Sequence, residues 1–211
     1  MCCGASELGL SFIHNRQLFQ ELERMADEDT KVRSELFASG ELFDGYHPRM
    51  EAVHRRNAAR LKEIIAEHGW PGSSLVGEEG ATYAWLVLQH AIGDPDFQRS
   101  GLRLLKEAVS RGEAPATHAA YLEDRIRIYE GRPQLYGSQF DWDSSGKLGP
   151  LPIEDPQHVN QRRRSIGLDT LEHRTQRVRD QAAQENAMPP RDYGMRKQEY
   201  EEWLRRVGWR E

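Results

Sequence analysis

The sequence predicts an all-α, mainly helical fold: a single helical domain with a short irregular hairpin or loop, followed by a charged C-terminal helical arm. Three observations carry the prediction. Apolar residues recur every three to four positions in successive blocks. Glycine, proline and Asp-Pro signals fall at the edges of those blocks. No internal repeat of fixed period emerges, which disfavours a helical solenoid. The divisions are a flexible N-terminus over 1–14, a helical domain over 15–170 and the arm over 171–211.

The first block runs from about Asn15 to Ala38, with Leu18, Leu22, Met25, Val32 and Leu36 on one face. Gly40 to Tyr46 has the composition of a turn. The second block uses Met50, Val53, Leu61, Ile64 and Ile65, opens near His47-Pro48 and stops at Gly69 before Pro71, a normal helix exit. From Gly77 to Ala91 the chain is apolar nearly all round, so that helix is buried by its neighbours. Asp94-Pro95 reads as a cap followed by proline at the first helical position, opening a helix that Gly112 closes. Another begins around Pro115 and reaches Gly131. Arg132 to Glu154 carries loosely alternating Tyr136, Phe140 and Trp142 and a Ser144-Ser145-Gly146 turn, as in an irregular hairpin or structured loop. Asp155-Pro156 repeats the cap signal for a short helix ending at Gly167. From Leu171 to Glu211 there are nine Lys+Arg and eight Asp+Glu, a solvated helix pair or arm broken at Met188-Pro189-Pro190. Its last piece, with Tyr200, Trp203, Leu204 and Val207 at helical spacing, is suited to dock an aromatic edge onto the domain or a partner.

Composition narrows the function classes. The 211 residues are 37% hydrophobic and 30% charged with mean hydropathy −0.80, yet the apolar residues are concentrated enough for a core in the first three quarters. No run approaches the roughly 20 apolar residues of a membrane helix, and no signal-peptide pattern opens the chain, so a cytoplasmic protein with no membrane partner is expected. A net charge of −5 and a pI near 5.9 give no global attraction to nucleic acid. Gln161 to Arg164 is the most basic spot, and Arg162 or Arg163 pairing a core carboxylate is preferred to phosphate contact. Cys2 and Cys3 are adjacent and read as incidental, which excludes a disulfide framework.

Polar side chains in segments patterned for burial are the informative ones, because hiding them costs free energy unless they are paired. His90, His68 and Asp124 are the candidate catalytic groups, with histidine as acid or base near neutral pH. Gln89, Arg125, Gln134, Tyr136, Gln139 and Trp70 are the candidate substrate-binding residues, the amides orienting carbonyl or hydroxyl groups and Arg125 pairing an anionic part. The competing reading is a buried network that only fixes packing. His68, His90 and Asp124 could in principle ligate a divalent ion, but no HExxH occurs and His47, His54 and His68 lack i, i+4 pairing, so neither metal nor other cofactor is expected. No GxSxG supports a serine nucleophile, and Glu78 and Glu79 disqualify Gly77 to Gly80 as a phosphate cradle.

An ordered series of short motifs adds a resemblance. His68-Gly69-Trp70-Pro71, Val76-Gly77, Ala84-Trp85, Gln89-His90-Ala91, Asp94-Pro95 with Phe97-Gln98, Leu122 with Asp124-Arg125, Gly131 with Pro133-Gln134, Tyr136-Gly137-Ser138-Gln139, and Arg163 with Gly167-Leu168 follow one another from about Leu18 to Leu171. The series resembles an uncharacterised bacterial domain family of unknown function. The resemblance implies a mostly helical domain whose motif histidines and glutamines share a pocket, and it supplies no reaction. Where the family commonly has an acidic residue after Gln-His-Ala, this chain has Ile92, and Asp94 is the nearest substitute.

The expected function is binding or conversion of a small polar metabolite, with His-dependent hydrolysis or group transfer as the first chemistry to test. The alternative is a non-catalytic interaction module whose polar cluster is structural, with a protein partner or self-association through the C-terminal arm.

Overall fold

Asn15, one residue before the first helix, accepts the Leu18 N–H on its side chain at 3.0 Å, so the first apolar block is capped where its pattern begins. The computed structural model describes residues 13–41 and 46–211. The reading of Cys2 and Cys3, most of the predicted flexible N-terminus and much of the Gly40–Tyr46 turn lie outside the described residues. Eight α-helices are described: α1 (Arg16–Ser39), α2 (Pro48–His68), α3 (Ser73–His90), α4 (Pro95–Ser110), α5 (Ala116–Tyr129), α6 (Val159–Ser165), α7 (Leu171–Gln184) and α8 (Tyr193–Arg206). Strands β1 (Phe140–Trp142) and β2 (Leu148–Pro150) form a small antiparallel hairpin. The protein is mainly helical.

Helix α3 is the centre, packed against α1, α2, α4 and α5. Val76, Ala81, Ala84, Val87 and Leu88 are all buried, while Glu78 and Glu79 are exposed, so α3 keeps one solvent-facing edge and buries the rest against its neighbours. Gly77 adopts φ 75° and ψ 168° inside α3, a conformation that L side chains rarely adopt, and it separates a first turn from the long helical segment. Buried Leu18, Leu22, Leu61, Ile64, Leu105, Leu122 and Ile126 bring the neighbouring helices onto α3.

Asp94 caps α4 through its side chain and Pro95 is the first helical residue, as the dipeptide predicts. Asp155-Pro156 behaves differently. Asp155 is left-handed, with φ 47°, and the proline opens a 3-10 turn over Pro156–His158 before α6 begins. The Asp155 carboxylate accepts a hydrogen bond from His158 Nδ1 at 2.7 Å instead of capping backbone amides.

The C-terminal region divides sharply. Helix α7 buries no residue, whereas α8 and the residues after it place Trp203, Leu204 and Trp209 in the core. Trp209 Nε1 donates to the Ile92 carbonyl at 2.7 Å, and Arg210 donates to the carbonyls of Ile128 and Tyr129. The aromatic edge is therefore engaged by the domain itself. No described helix is long and apolar enough to cross a membrane.

Candidate functional site

Helix α1 carries an aspartate on its apolar stripe. Asp29 follows Met25 by four residues and precedes Leu36 by seven, so helical geometry turns it inward with them, and it is only 4% exposed. Helix α2 does the same with His54, four residues from both Met50 and Ala58, and it is 8% exposed. Helix α3 ends on His90. The three side chains meet: His90 Nδ1 lies 2.8 Å from Asp29 Oδ2, His54 Nε2 lies 2.9 Å from the same oxygen, and the two imidazole centroids are 5.1 Å apart.

Neighbouring polar contacts fix this arrangement. Asn57, one turn beyond His54, donates to the Met25 carbonyl at 3.1 Å, locking the turn of α1 that precedes Asp29 against α2. Tyr46 Oη lies 2.8 Å from His54 Nδ1, and its ring stacks on the imidazole. A hydroxyl can donate or accept, so Tyr46 serves either tautomer of His54. The end of α3 is held as well. The Leu88 carbonyl, which also accepts the Ala91 N–H at 3.2 Å, and the Gln89 carbonyl accept Gln98 Nε2 at 2.8 and 3.0 Å. Arg125 donates to the Gln89 carbonyl at 2.9 Å.

Burial alone would raise the Asp29 carboxyl, but the contacts of His54 and His90 outweigh it and hold the group well below the usual carboxylate range. Burial lowers the His90 imidazole, against the opposing pull of Asp29. The favoured state at neutral pH is thus a carboxylate accepting the Nδ1–H of a neutral His90. Burial raises the Tyr46 phenol, which stays protonated. His54 differs from His90 in one respect. Its Nε2 is close to Asp29 but is not aligned as a hydrogen bond, and it has no hydrogen-bond partner.

Beside the cluster lies a half-open cleft of about 210 Å³, lined by Tyr46, His54, Arg55, Lys62, Asp94, two alanines from the middle of α2 and small residues just after α3. It is smaller than a typical drug-sized site of about 300–1,000 Å³ and suits a small ligand. Lys62 and Asp94 pair across it at 2.5 Å, so Asp94 is engaged as a cap and an ion-pair partner. Ile92, in the position after Gln-His-Ala, packs against the core and gives its carbonyl to Trp209.

The residues singled out by sequence fall into separate groups. His90 is in the cluster, and Gln89 and Arg125 hold the helix end that carries it. His68 is the last residue of α2, about 21 Å along the helix axis from His54 at 1.5 Å per residue, beside Glu67 and partly exposed. Trp70, beyond the same end of α2, is a core residue whose Nε1 has no partner. Asp124 is fully buried and accepts the backbone N–H groups of Leu135, Tyr136 and Ser138 at 2.6 to 3.2 Å. Burial raises its carboxyl, with those amides opposing. Gln134 and Gln139 close on one another and on the Leu151 carbonyl, and Tyr136 gives its carbonyl to Arg163. None of Asp124, Gln134, Tyr136 and Gln139 lines the cleft. They build the loop that leads into the hairpin.

Arg163 is 1% exposed and pairs with Asp169 Oδ1 at 3.1 Å, while Arg162 donates to the carbonyls of Leu135, Glu154 and Asp155. Both arginines are spent on chain closure. Asp29 is absent from the sequence candidates, and His54 is discounted there for want of i, i+4 pairing. Their signal was a charged or titratable side chain in register with an apolar stripe.

The chain belongs to DUF6624. The family model, described as a family of unknown function, matches residues 16–185. That span includes all three members of the cluster, and in this DUF6624 member α8 lies beyond it. No curated protein and no solved structure matches the chain.

Proposed function

We propose that the cleft beside Asp29, His54 and His90 binds a small polar metabolite, and that the cluster supplies the acid and base for its hydrolysis or group transfer. One observation carries the reading: a buried carboxylate sits within 2.9 Å of two imidazoles, and one of these lines a cleft. Such an arrangement costs desolvation energy that apolar packing would avoid, and titratable groups brought together in a recess are the usual material of acid and base catalysis. The wall carries Arg55 and the Lys62–Asp94 ion pair, so a polar ligand meets charge of both signs there.

Within this reading His54 faces the ligand with Tyr46 orienting its ring. Asp29 holds the His90 Nδ1–H and balances whichever imidazole becomes protonated. The sequence reading is retained for His90 and moved from His68 and Asp124 to His54 and Asp29.

The test is thermal-shift screening of the full chain against small polar metabolites, repeated on His54→Gln and His90→Gln. A ligand at about 100 times its Kd stabilises the folded state by about 2.7 kcal/mol. Wild type is expected to gain stability of this order with a hit, and each folded variant to lose the response. An equal response in both variants would contradict the assignment.

A further inference from the structure

The cluster has a second property that acid and base chemistry does not require. Its three candidate donor atoms, one from each of Asp29, His54 and His90, lie within 4.8 Å of one another. Two of the separations are 2.8 and 2.9 Å, both to Asp29 Oδ2. Donors about 2.0–2.1 Å from a common metal ion stand about 2.9 Å apart at a right angle and about 3.4 Å apart at a tetrahedral angle. The carboxylate's spacing to each ring therefore matches that of ligands at a right angle about one ion and is about 0.5 Å short of the tetrahedral spacing, so binding Zn²⁺ opens the cluster slightly.

His54 gives the independent observation. It is over nine-tenths buried, yet its Nε2 has no hydrogen-bond partner while facing the Asp29 carboxylate. At 2.9 Å that nitrogen makes a charge contact with the carboxylate without hydrogen-bond alignment, and a cation shared by the two groups would satisfy both. The opposite ring nitrogen is already held at 2.8 Å by Tyr46 Oη. With Nδ1–H donating to that hydroxyl, the Nε2 lone pair points inward, the outer-sphere arrangement that orients metal-bound histidines.

We infer that Asp29, His54 and His90 form a binding site for one divalent first-row transition-metal ion, with Zn²⁺ the best fit to the donor set. Two imidazoles disfavour Mg²⁺ and Ca²⁺, which prefer all-oxygen shells. The ligands are Asp29 Oδ2, His54 Nε2 and His90 Nδ1; His54 already carries its proton on Nδ1, and coordination moves the proton of neutral His90 from Nδ1 to Nε2, so no proton is lost overall. In His90 that nitrogen, Nε2, has no protein partner among the described residues and is free to carry the proton. Tyr46 and Asn57 are positioning residues. Three protein ligands leave coordination positions for water or a ligand, next to the cleft that His54 lines. The inference rests on the functional reading above, because it makes the same cluster the reactive end of that cleft.

The experiment uses the full chain stripped by chelator and then titrated with Zn²⁺ against a chromophoric competitor, with Co²⁺ absorption as a second measurement on the wild type. Expected are one ion per chain and a Co²⁺ spectrum of mixed nitrogen and oxygen ligation. Binding should weaken by on the order of 100-fold or more in His54→Gln and in His90→Gln, and about 10–100-fold in Tyr46→Phe. His68→Gln, outside the cluster, should bind as wild type does. Absence of one-to-one binding by wild type, or binding equal to wild type in folded His54→Gln and His90→Gln, would overturn the site. Failure here would remain distinct from failure of the functional reading: metabolite stabilisation that survives in chelator-stripped protein, without one-to-one Zn²⁺ binding, overturns the metal alone.

Discussion

Single residues in this protein divide by what their polar atoms are doing. Asp124 is buried and satisfied, its carboxylate holding three backbone amides of one loop. Replacing it by Ala removes a charged acceptor from several buried donors, so Asp124→Ala is expected to destabilise the fold by about 2–4 kcal/mol in denaturant titration. His118 is the opposite case. Its ring stacks on Trp85 at 4.2 Å with an interplanar angle of 8°, its Nδ1 has no partner, and burial lowers its pKa from 6.5 to about 4. The unfolded chain binds that proton more readily than the folded one. The neutral ring's contribution is therefore complete above about pH 6.5 and is lost as pH falls toward 4. His118→Phe keeps the stack and removes the titration, so its stability profile should be flatter than that of wild type across this window, as measured by urea midpoints at successive pH values.

At the scale of elements, helix ends and close approaches decide what the site can be. Polar residues conspicuous in the sequence near Gln89 turn out to finish α3, where Gln98 and Arg125 donate to carbonyls of its last turn. Packing of α4 on α3 is equally demanding. A Cβ added at Gly101 would stand 2.5 and 2.7 Å from the terminal carbons of Leu88, a fully buried side chain. Although alanine is the better helix former, Gly101→Ala is expected to destabilise by about 1–3 kcal/mol through overpacking, again read from the denaturation midpoint. Stability equal to or above wild type would mean that α4 can move away from α3 at little cost. Helices α2 and α4 were legible because their ends are written locally: Asp94 caps α4, Pro48 and Pro95 open the two helices, and Gly69 and Gly112 follow their last turns. The Gly77 kink was not legible, since a glycine ahead of an apolar run reads as a helix start.

For the whole molecule, the site was far less readable than the fold, and the reason is topological. Asp29 and His90 are 61 residues apart in the chain, on separate helices, and no periodicity within either helix announces the other. The motifs that did stand out, such as Tyr136-Gly137-Ser138-Gln139, are dense in polar residues because an irregular loop must satisfy its own backbone. Only His90 of the predicted catalytic groups reaches the cluster. The C-terminal helix extends the same lesson. The ring of Trp203 meets those of Tyr46 and Tyr129 at 5.7 Å, and Tyr46 holds His54. A segment beyond the family-matched span thus backs the candidate site. Removing residues 188–211 exposes Tyr129 and the Tyr46 edge, and is expected to lower stability by at least about 3 kcal/mol and to loosen His54. Trp203→Ala should reproduce much of the loss, and thermal unfolding of the truncated and substituted chains checks both.

The cluster on α1, α2 and α3 is the point on which the account turns, and imidazole ¹⁵N spectroscopy of the intact chain addresses it most directly, recorded with and without a metabolite that raises the melting temperature. The ring signals of His54 and His90 should move together on ligand addition, with those of His68 and His158 unchanged. Signals of His54 and His90 that stay fixed while the ligand binds would place the ligand elsewhere and contradict the account.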